Sequence, residues 1–422
     1  MGIPRDKGYD HTLSLLAETY NFIGNRCRRY MSDIFETRLM FRKVICILGE
    51  EAAREFYRLG RFTRQGAIPP TTLVLLQDKG SVQTLDGEAH RHRKEMFMSL
   101  MTPEHVERLV GIAREEWRGR AAKWEGQEKV ELLSEAHVIL CKAVCRWAGL
   151  DLSEEDAEER AREFAAMIDG AGAFGPRNWA GLALRMRTER WIREVIDGVR
   201  EGRIAVPEGS AADVVVKHRE LDGEHLSTKV AAVELINFLR PTVAVARYLM
   251  FAAHALHEHP KAAERVRLRG DEYREWFVQE VRRYYPFFPF LGGRVLEAFE
   301  WRGHRFEEDD WVLLDLYGTN HDARVWTDPE EFRPERFGLW DKSAYNFIPQ
   351  GGGNPHEGHR CAGEWLTVEL LKMAAAELTE GMEYGVPEQD LRVDMSRMPA
   401  TVKSRMVIDN VHVAGQAVEV GR

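Results

Sequence analysis

From Ser227 to Pro260 apolar residues recur at helical spacing, interrupted inside the run by Arg240-Pro241. So long and apolar a stretch belongs at the centre of a large helical body, with other helices covering every side. The Pro removes a backbone N–H and kinks the helix. The Arg places a cation where an unpaired charge is costly. No acidic residue follows within a turn, and Glu234 lies about two turns upstream. Either the guanidinium reaches the surface from a kinked core helix, or it requires an anion. A substrate carboxylate would supply a bidentate, charge-assisted pair.

The remaining signals surround that helix with others. Glu50–Gly60 is amphipathic, and Pro103 opens a helix to about Trp124. Val130–Leu150 is apolar at helical spacing, and Ser153 with Asp156 forms a capping box for a helix to about Asp169. Trp179–Gly202 and Asp271–Tyr285 are helical, the second stopped by Pro286. Strand signals cluster at Leu291–Leu296, Glu300–Phe306 and Trp311–Leu316. Thr327–Phe337 reads as an ordered meander, and a last helix runs from about Cys361 to Gly381. With no repeat or linker, the expectation is a mainly α fold with small β-sheets, one large domain over residues 1–422. Lys and Arg total 59 against 68 Asp and Glu, a net charge of −9 without a long basic run, which argues against nucleic acid as partner. The run Val243–Leu256 is short and carries Arg247, so no membrane anchor is expected. Five cysteines do not suggest a disulfide framework. A cytoplasmic protein is the expectation.

Three elements carry chemistry. Cys361 ends a glycine-rich loop that begins near Gln350 and reads as the start of a helix, where free N–H groups and the helix dipole favour a thiolate. Gly363 leaves room beside the sulfur for a flat cofactor. Such a thiolate suits heme iron that must cleave an O–O bond; an inert cysteine is the alternative. Glu280-Val-Arg-Arg283 sets a carboxylate and a guanidinium on one helix face. Phe332-Arg-Pro-Glu-Arg-Phe337 offers Arg336 to the same carboxylate. In this order, with Leu256-His-Glu-His-Pro260 ending the central helix, they resemble the cytochrome P-450 superfamily of heme-thiolate enzymes. The resemblance spans nearly the whole chain. It implies the mainly α fold of that superfamily, a heme b, and Cys361 as the ligand of its iron.

The departures narrow the resemblance. Where that superfamily usually carries an acid–alcohol pair, this chain has Arg240-Pro241-Thr242, with Thr242 as a displaced candidate for the alcohol. The Arg-Pro pair resembles the fatty-acid peroxygenase branch, as do the Gly351–Gly353 insert before Gly358-His-Arg-Cys361, the segment Val82–Lys94 and the segment Phe277–Pro286. That resemblance implies hydrogen peroxide as oxidant, no obligatory redox partner, and a long-chain fatty acid held by its carboxylate on Arg240. The carboxylate then serves as general base and acid, taking a proton from the peroxide and returning it to the distal oxygen. Docking at that end places carbons α and β nearest the reacting oxygen. Pro241 shapes the helix around the anion, and Gln83 completes the distal site. Gln83 favours hydroxylation over decarboxylation to a terminal alkene, because an amide does not supply a proton as an imidazolium does. Phe287 and Phe288 are candidates for the substrate channel. His90 and Lys94 match the pair that binds heme propionates, with Arg360 and Arg64 as further candidates. Competing readings are a partner-dependent monooxygenase and a non-catalytic heme protein that carries fatty acid. His254, His257 and His259 read as a polar helix end and not as zinc ligands, and Cys141 and Cys145 as core thiols.

Overall fold

The capping signals place several helices closely. In the computed structural model, which describes residues 2–414, Thr102 accepts the His105 N–H and starts Pro103–Trp124. Ser153 accepts the Asp156 N–H and starts Glu154–Ala171. Pro176–Arg200 and Gly270–Tyr284 occupy the other long helical stretches. The chain is mainly helical with small sheets, as its sequence suggests. Among the described residues no helix is long and apolar enough to cross a membrane.

The central stretch divides into Thr228–Ala244 and Ala246–Glu258. The break falls at Val245, one turn after Pro241. There the Val245 N–H turns to the Thr242 carbonyl at 3.2 Å, a three-residue bond that tightens the turn. Both halves lie inside the largest apolar cluster, together with Leu132–Trp147 and its buried Cys141 and Cys145. His254 is also internal, bridging the Tyr285 hydroxyl at 2.7 Å and the Leu391 carbonyl at 2.9 Å.

The main sheet has five strands in the order Ile34–Leu39, Arg42–Leu48, Trp311–Asp315, Phe290–Val295, Phe62–Thr63. Only the contact between the second and third is parallel. Two of its strands match the sequence reading. The segment Glu300–Phe306 instead forms its own hairpin, Phe299–Trp301 with His304–Phe306, turned at Arg302-Gly303. The hairpin at 34–48 had no sequence signal. Its turn residues, Met40 and Phe41, both have positive φ, yet neither is Gly, Asn or Asp.

Between the Gly270–Tyr284 helix and the meander lies a charged core. Arg283 donates to both Glu280 oxygens at 2.7 and 2.8 Å and to the carbonyls of Asn320, Pro329 and Glu331. Arg336 reaches the same carboxylate at 3.2 Å and donates to the carbonyls of Thr327, Asp328 and Glu331. The Arg333 N–H adds a bond at 2.7 Å. Glu280 and Arg283 are fully buried, so this triad ties the Gly270–Tyr284 helix to the meander with its guanidinium and carboxylate groups multiply bonded.

Candidate active site

A cavity of about 160 Å³ separates the cysteine loop from the central helix. One wall consists of Gln350, His359, Arg360, Cys361, Ala362, Gly363, Leu366 and Thr367. The opposite wall includes Val82, Gln83, Phe97, Asn237, Phe238, Pro241 and Thr242, with Phe97 stacked on Phe238 at 4.3 Å. Of the residues singled out from sequence, Cys361, Gln83, Pro241, His90, Lys94 and Arg360 therefore share one space. Arg240, Phe287 and Phe288 are not among its lining residues. Phe287 stacks on Tyr248 at 4.6 Å and meets Phe288 edge-on, just before the strand start at Phe290.

Cys361 departs from its expected setting. The helix begins at Glu364, three residues later, because Cys361–Gly363 form a turn held by the Cys361 N–H on the Gln350 carbonyl at 3.0 Å. The sulfur accepts from Gln350 Nε2 at 3.7 Å and from the Gly363 N–H. Burial nonetheless pushes the thiol up, with Lys94, the Gly363 N–H and Arg282 pulling against it. Burial and the local donors thus act on the sulfur in opposite directions. The three glycines that precede it fit a tight passage past Tyr57. Gly351 has φ +95°, and a Cβ on Gly352 would lie 2.7 Å from the Ala344 carbonyl oxygen.

Beside the sulfur are two histidines and the cationic Lys94 and Arg360. His359 lies against His90 with ring centroids 4.1 Å apart. Burial pushes His90 down to about 4, with Lys94, Arg64 and Arg91 adding repulsion. Burial, then Arg64, His90 and Lys94, also lower His359. Lys94 Nζ donates to the Arg360 carbonyl at 2.5 Å and to the Gly358 carbonyl at 3.3 Å. Arg64 donates to the Gly292 carbonyl at 2.7 Å. Only Arg360 has a carboxylate in hydrogen-bond contact, Glu364 at 2.6 Å, and Glu364 is shared with Arg282. The sequence reading missed His359 as a member of this group, although it stands between Gly358 and Arg360 in the quoted motif.

The residues present fit a heme. The cavity lies between a cysteine and an apolar helix, a Cβ built on Gly363 meets nothing within 4 Å, and Lys94 and Arg360, with the His90 and His359 rings, line it as cations and hydrogen-bonding groups suited to two propionates.

On the other side of the cavity Arg240 is almost wholly buried. Its Nη1 donates to the Leu75 carbonyl at 3.3 Å, and no carboxylate among the described residues pairs with it. Burial, with repulsion from Arg185, pushes it down to about 9. Glu234 is engaged elsewhere, by Arg93 at 2.6 Å and by the Val82 N–H at 2.7 Å. Thr242 donates to the Phe238 carbonyl at 2.9 Å.

Comparison with known proteins agrees with this geometry. The family model described as Cytochrome P450 matches residues 256–379. A solved structure of cytochrome P450SP alpha (CYP152B1) in complex with (R)-ibuprophen is 47% identical, with a TM-score of 0.94, over 97% of this chain and 100% of that one. The chain belongs to the cytochrome P450 family. Cytochrome P450EX alpha (CYP152N1) with myristic acid is 43% identical, with a TM-score of 0.94, over 98% of this chain and 100% of the other. A variant of cytochrome P450 OleT in complex with arachidonic acid is 36% identical, also at TM-score 0.94, over 98% and 99%. This P450 is an oxidoreductase of the fatty-acid peroxygenase branch, and its family implies a heme.

Proposed function

We propose that this P450, as one heme-thiolate domain over residues 1–422, uses hydrogen peroxide to hydroxylate long-chain fatty acids at the α or β carbon. It acts in the cytoplasm without a redox partner. The observation that carries the reading is Arg240, a guanidinium buried in the central helix beside Pro241 and lacking a carboxylate partner. Relatives solved with myristic acid and arachidonic acid accept ligands that carry such a carboxylate.

Cys361 would ligate the iron of heme b, with Lys94, Arg360 and Arg64 as cations and His90 and His359 as hydrogen-bonding groups for its propionates. Bound there, heme with a thiolate ligand supplies the electron density that favours O–O cleavage. The chain's own residues arrange the rest. Arg240 holds the fatty-acid carboxylate, and Pro241 and Thr242 form the wall next to it. The carboxylate takes a proton from hydrogen peroxide and returns it to the distal oxygen, so the substrate provides the acid–base group that the helix lacks. Gln83 lines the same space with a neutral amide, which favours hydroxylation over loss of carbon dioxide.

The test is product analysis with heme-loaded protein, a long-chain fatty acid and hydrogen peroxide, with no reductase present. Hydroxy acid should form, and Arg240→Ala should abolish it. Activity only with an electron donor would overturn the peroxide reading.

A further inference from the structure

A fully buried carboxylate that the proposed reaction does not use lies one helix turn from the cavity. Glu234 Oε1 accepts from Arg93 Nη1 at 2.6 Å and from the Val82 N–H at 2.7 Å. Its other oxygen accepts from Asn237 Nδ2 at 3.1 Å. Arg93 also pairs with Glu220 and donates to the Gly80 carbonyl at 3.3 Å, so the ion pair is held from both sides.

The direction of these bonds fixes the next ones. Asn237 Nδ2 faces three acceptors: Glu234 Oε2, the Gln77 carbonyl at 3.4 Å and Gln83 Oε1 at 3.4 Å. A reversed Asn237 amide would set an oxygen against a carboxylate and a carbonyl, neither of which can donate. Asn237 must therefore point its NH₂ this way. Gln83 answers with its carbonyl oxygen, which leaves Nε2 as the free end of its amide. Both Asn237 and Gln83 line the cavity. The same Glu234 oxygen that holds Arg93 also holds the Val82 N–H, at the start of the short Val82–Thr84 turn that carries Gln83.

The geometry points to Glu234 as a positioning residue: through Asn237 and the Val82 N–H it sets the Gln83 amide so that Nε2–H donates to the carboxyl end of the fatty acid. The inference rests on the fatty-acid reading above. It assigns the carboxylate a second, neutral donor besides Arg240, and gives the buried Glu234–Arg93 pair a role in regioselectivity. Glu234 does not touch the substrate.

Glu234→Gln keeps the shape of the side chain but puts an NH₂ against Asn237 or Arg93, so the Asn237 amide loses its single orientation. The experiment is a double-mutant cycle on the heme-loaded full chain with Glu234→Gln, Gln83→Leu and the pair. It reads spectral titration with myristic acid and the ratio of α- to β-hydroxylated product. Each single variant should weaken myristic acid binding by about tenfold, as expected for one charge-assisted hydrogen bond. Each should also change the product ratio in the same direction. Adding Glu234→Gln to Gln83→Leu should produce no further change. Asn237→Leu, which leaves the ion pair intact, should reproduce the Gln83→Leu effect and covers the case in which Glu234→Gln fails to fold. Independent, additive losses, or lower thermal stability with unchanged binding and product ratio, would overturn the inference. If the wild-type protein binds myristic acid but makes no hydroxy acid with peroxide, the functional reading fails instead, while the binding arm still tests Glu234.

Discussion

Two arginines in the interior receive opposite treatment. Arg283 is fully buried and makes two bonds to a carboxylate and three to carbonyls. Arg240, also buried, has one long bond to a carbonyl and a neighbouring Arg185 that repels it. The first charge is compensated within the chain, so it specifies a single arrangement of helix and meander. The second has no such compensation among the described residues, and the proposed reaction assigns it the substrate's carboxylate. A buried ion pair with every partner present is a structural device, whereas a buried cation without one is a candidate binding site.

The largest effect that separates the two should come from Arg283→Leu. It strands Glu280 without its main partner, a loss of about 3–5 kcal/mol. Denaturant unfolding should show that loss, together with poor heme incorporation. If Arg283→Leu matched the wild type, the contrast would collapse. Arg240→Leu should do the reverse: thermal stability equal to or above the wild type, because an uncompensated charge is removed, with fatty-acid oxidation lost.

The contrast also has a pH signature. Arg240 is pushed down to about 9 in the folded protein, well below its ordinary value. The stability cost of burying its charged form is fully present below about pH 9 and is relieved as pH rises toward the usual arginine range. Fatty-acid binding runs the other way. Affinity should be flat from pH 6 to 8 and fall above about 9, by up to about tenfold per pH unit, in a spectral titration. Flat affinity through pH 10 in the wild type, with Arg240→Leu binding equally well, would place the anion elsewhere.

Smaller effects concern the cationic cluster. Lys94→Met removes one buried cation, and heme should transfer faster to an apo-globin acceptor, by about tenfold. Gly363→Ala is the mildest change. The added Cβ meets nothing in the protein, so chain stability should be near wild type while heme occupancy falls.

Much of this was legible in the sequence where the signal is local or chemical. Pro103, Ser153 and the Asp271–Tyr285 pattern mark their helices because caps and periodicity act over a few residues. Cys361 and Gln83 declare themselves by residue type and motif, and the structure sets both on one cavity. The hairpin at 34–48 was not legible. Its turn at Met40-Phe41 uses positive φ without the residues that favour it, so tertiary packing and not local preference holds it. The partner of Glu234 could not be read either, since Arg93 and Glu234 are 141 positions apart. Phe287 and Phe288 are channel candidates by their bulk and by the family resemblance; in the structure Phe287 stacks on Tyr248 just before the Phe290–Val295 strand. Cys361 was expected at the first turn of a helix, and the turn Cys361–Gly363 shifts that start to Glu364.

The most direct test of the central claim pairs two readings on one variant, Arg240→Leu: the thermal midpoint and the myristic acid affinity of the heme-loaded protein. The account predicts a midpoint at or above that of the wild type together with loss of spectrally detected binding. A lower midpoint with affinity intact would contradict it, because Arg240 would then be part of the scaffold and not the site held open for the substrate's carboxylate.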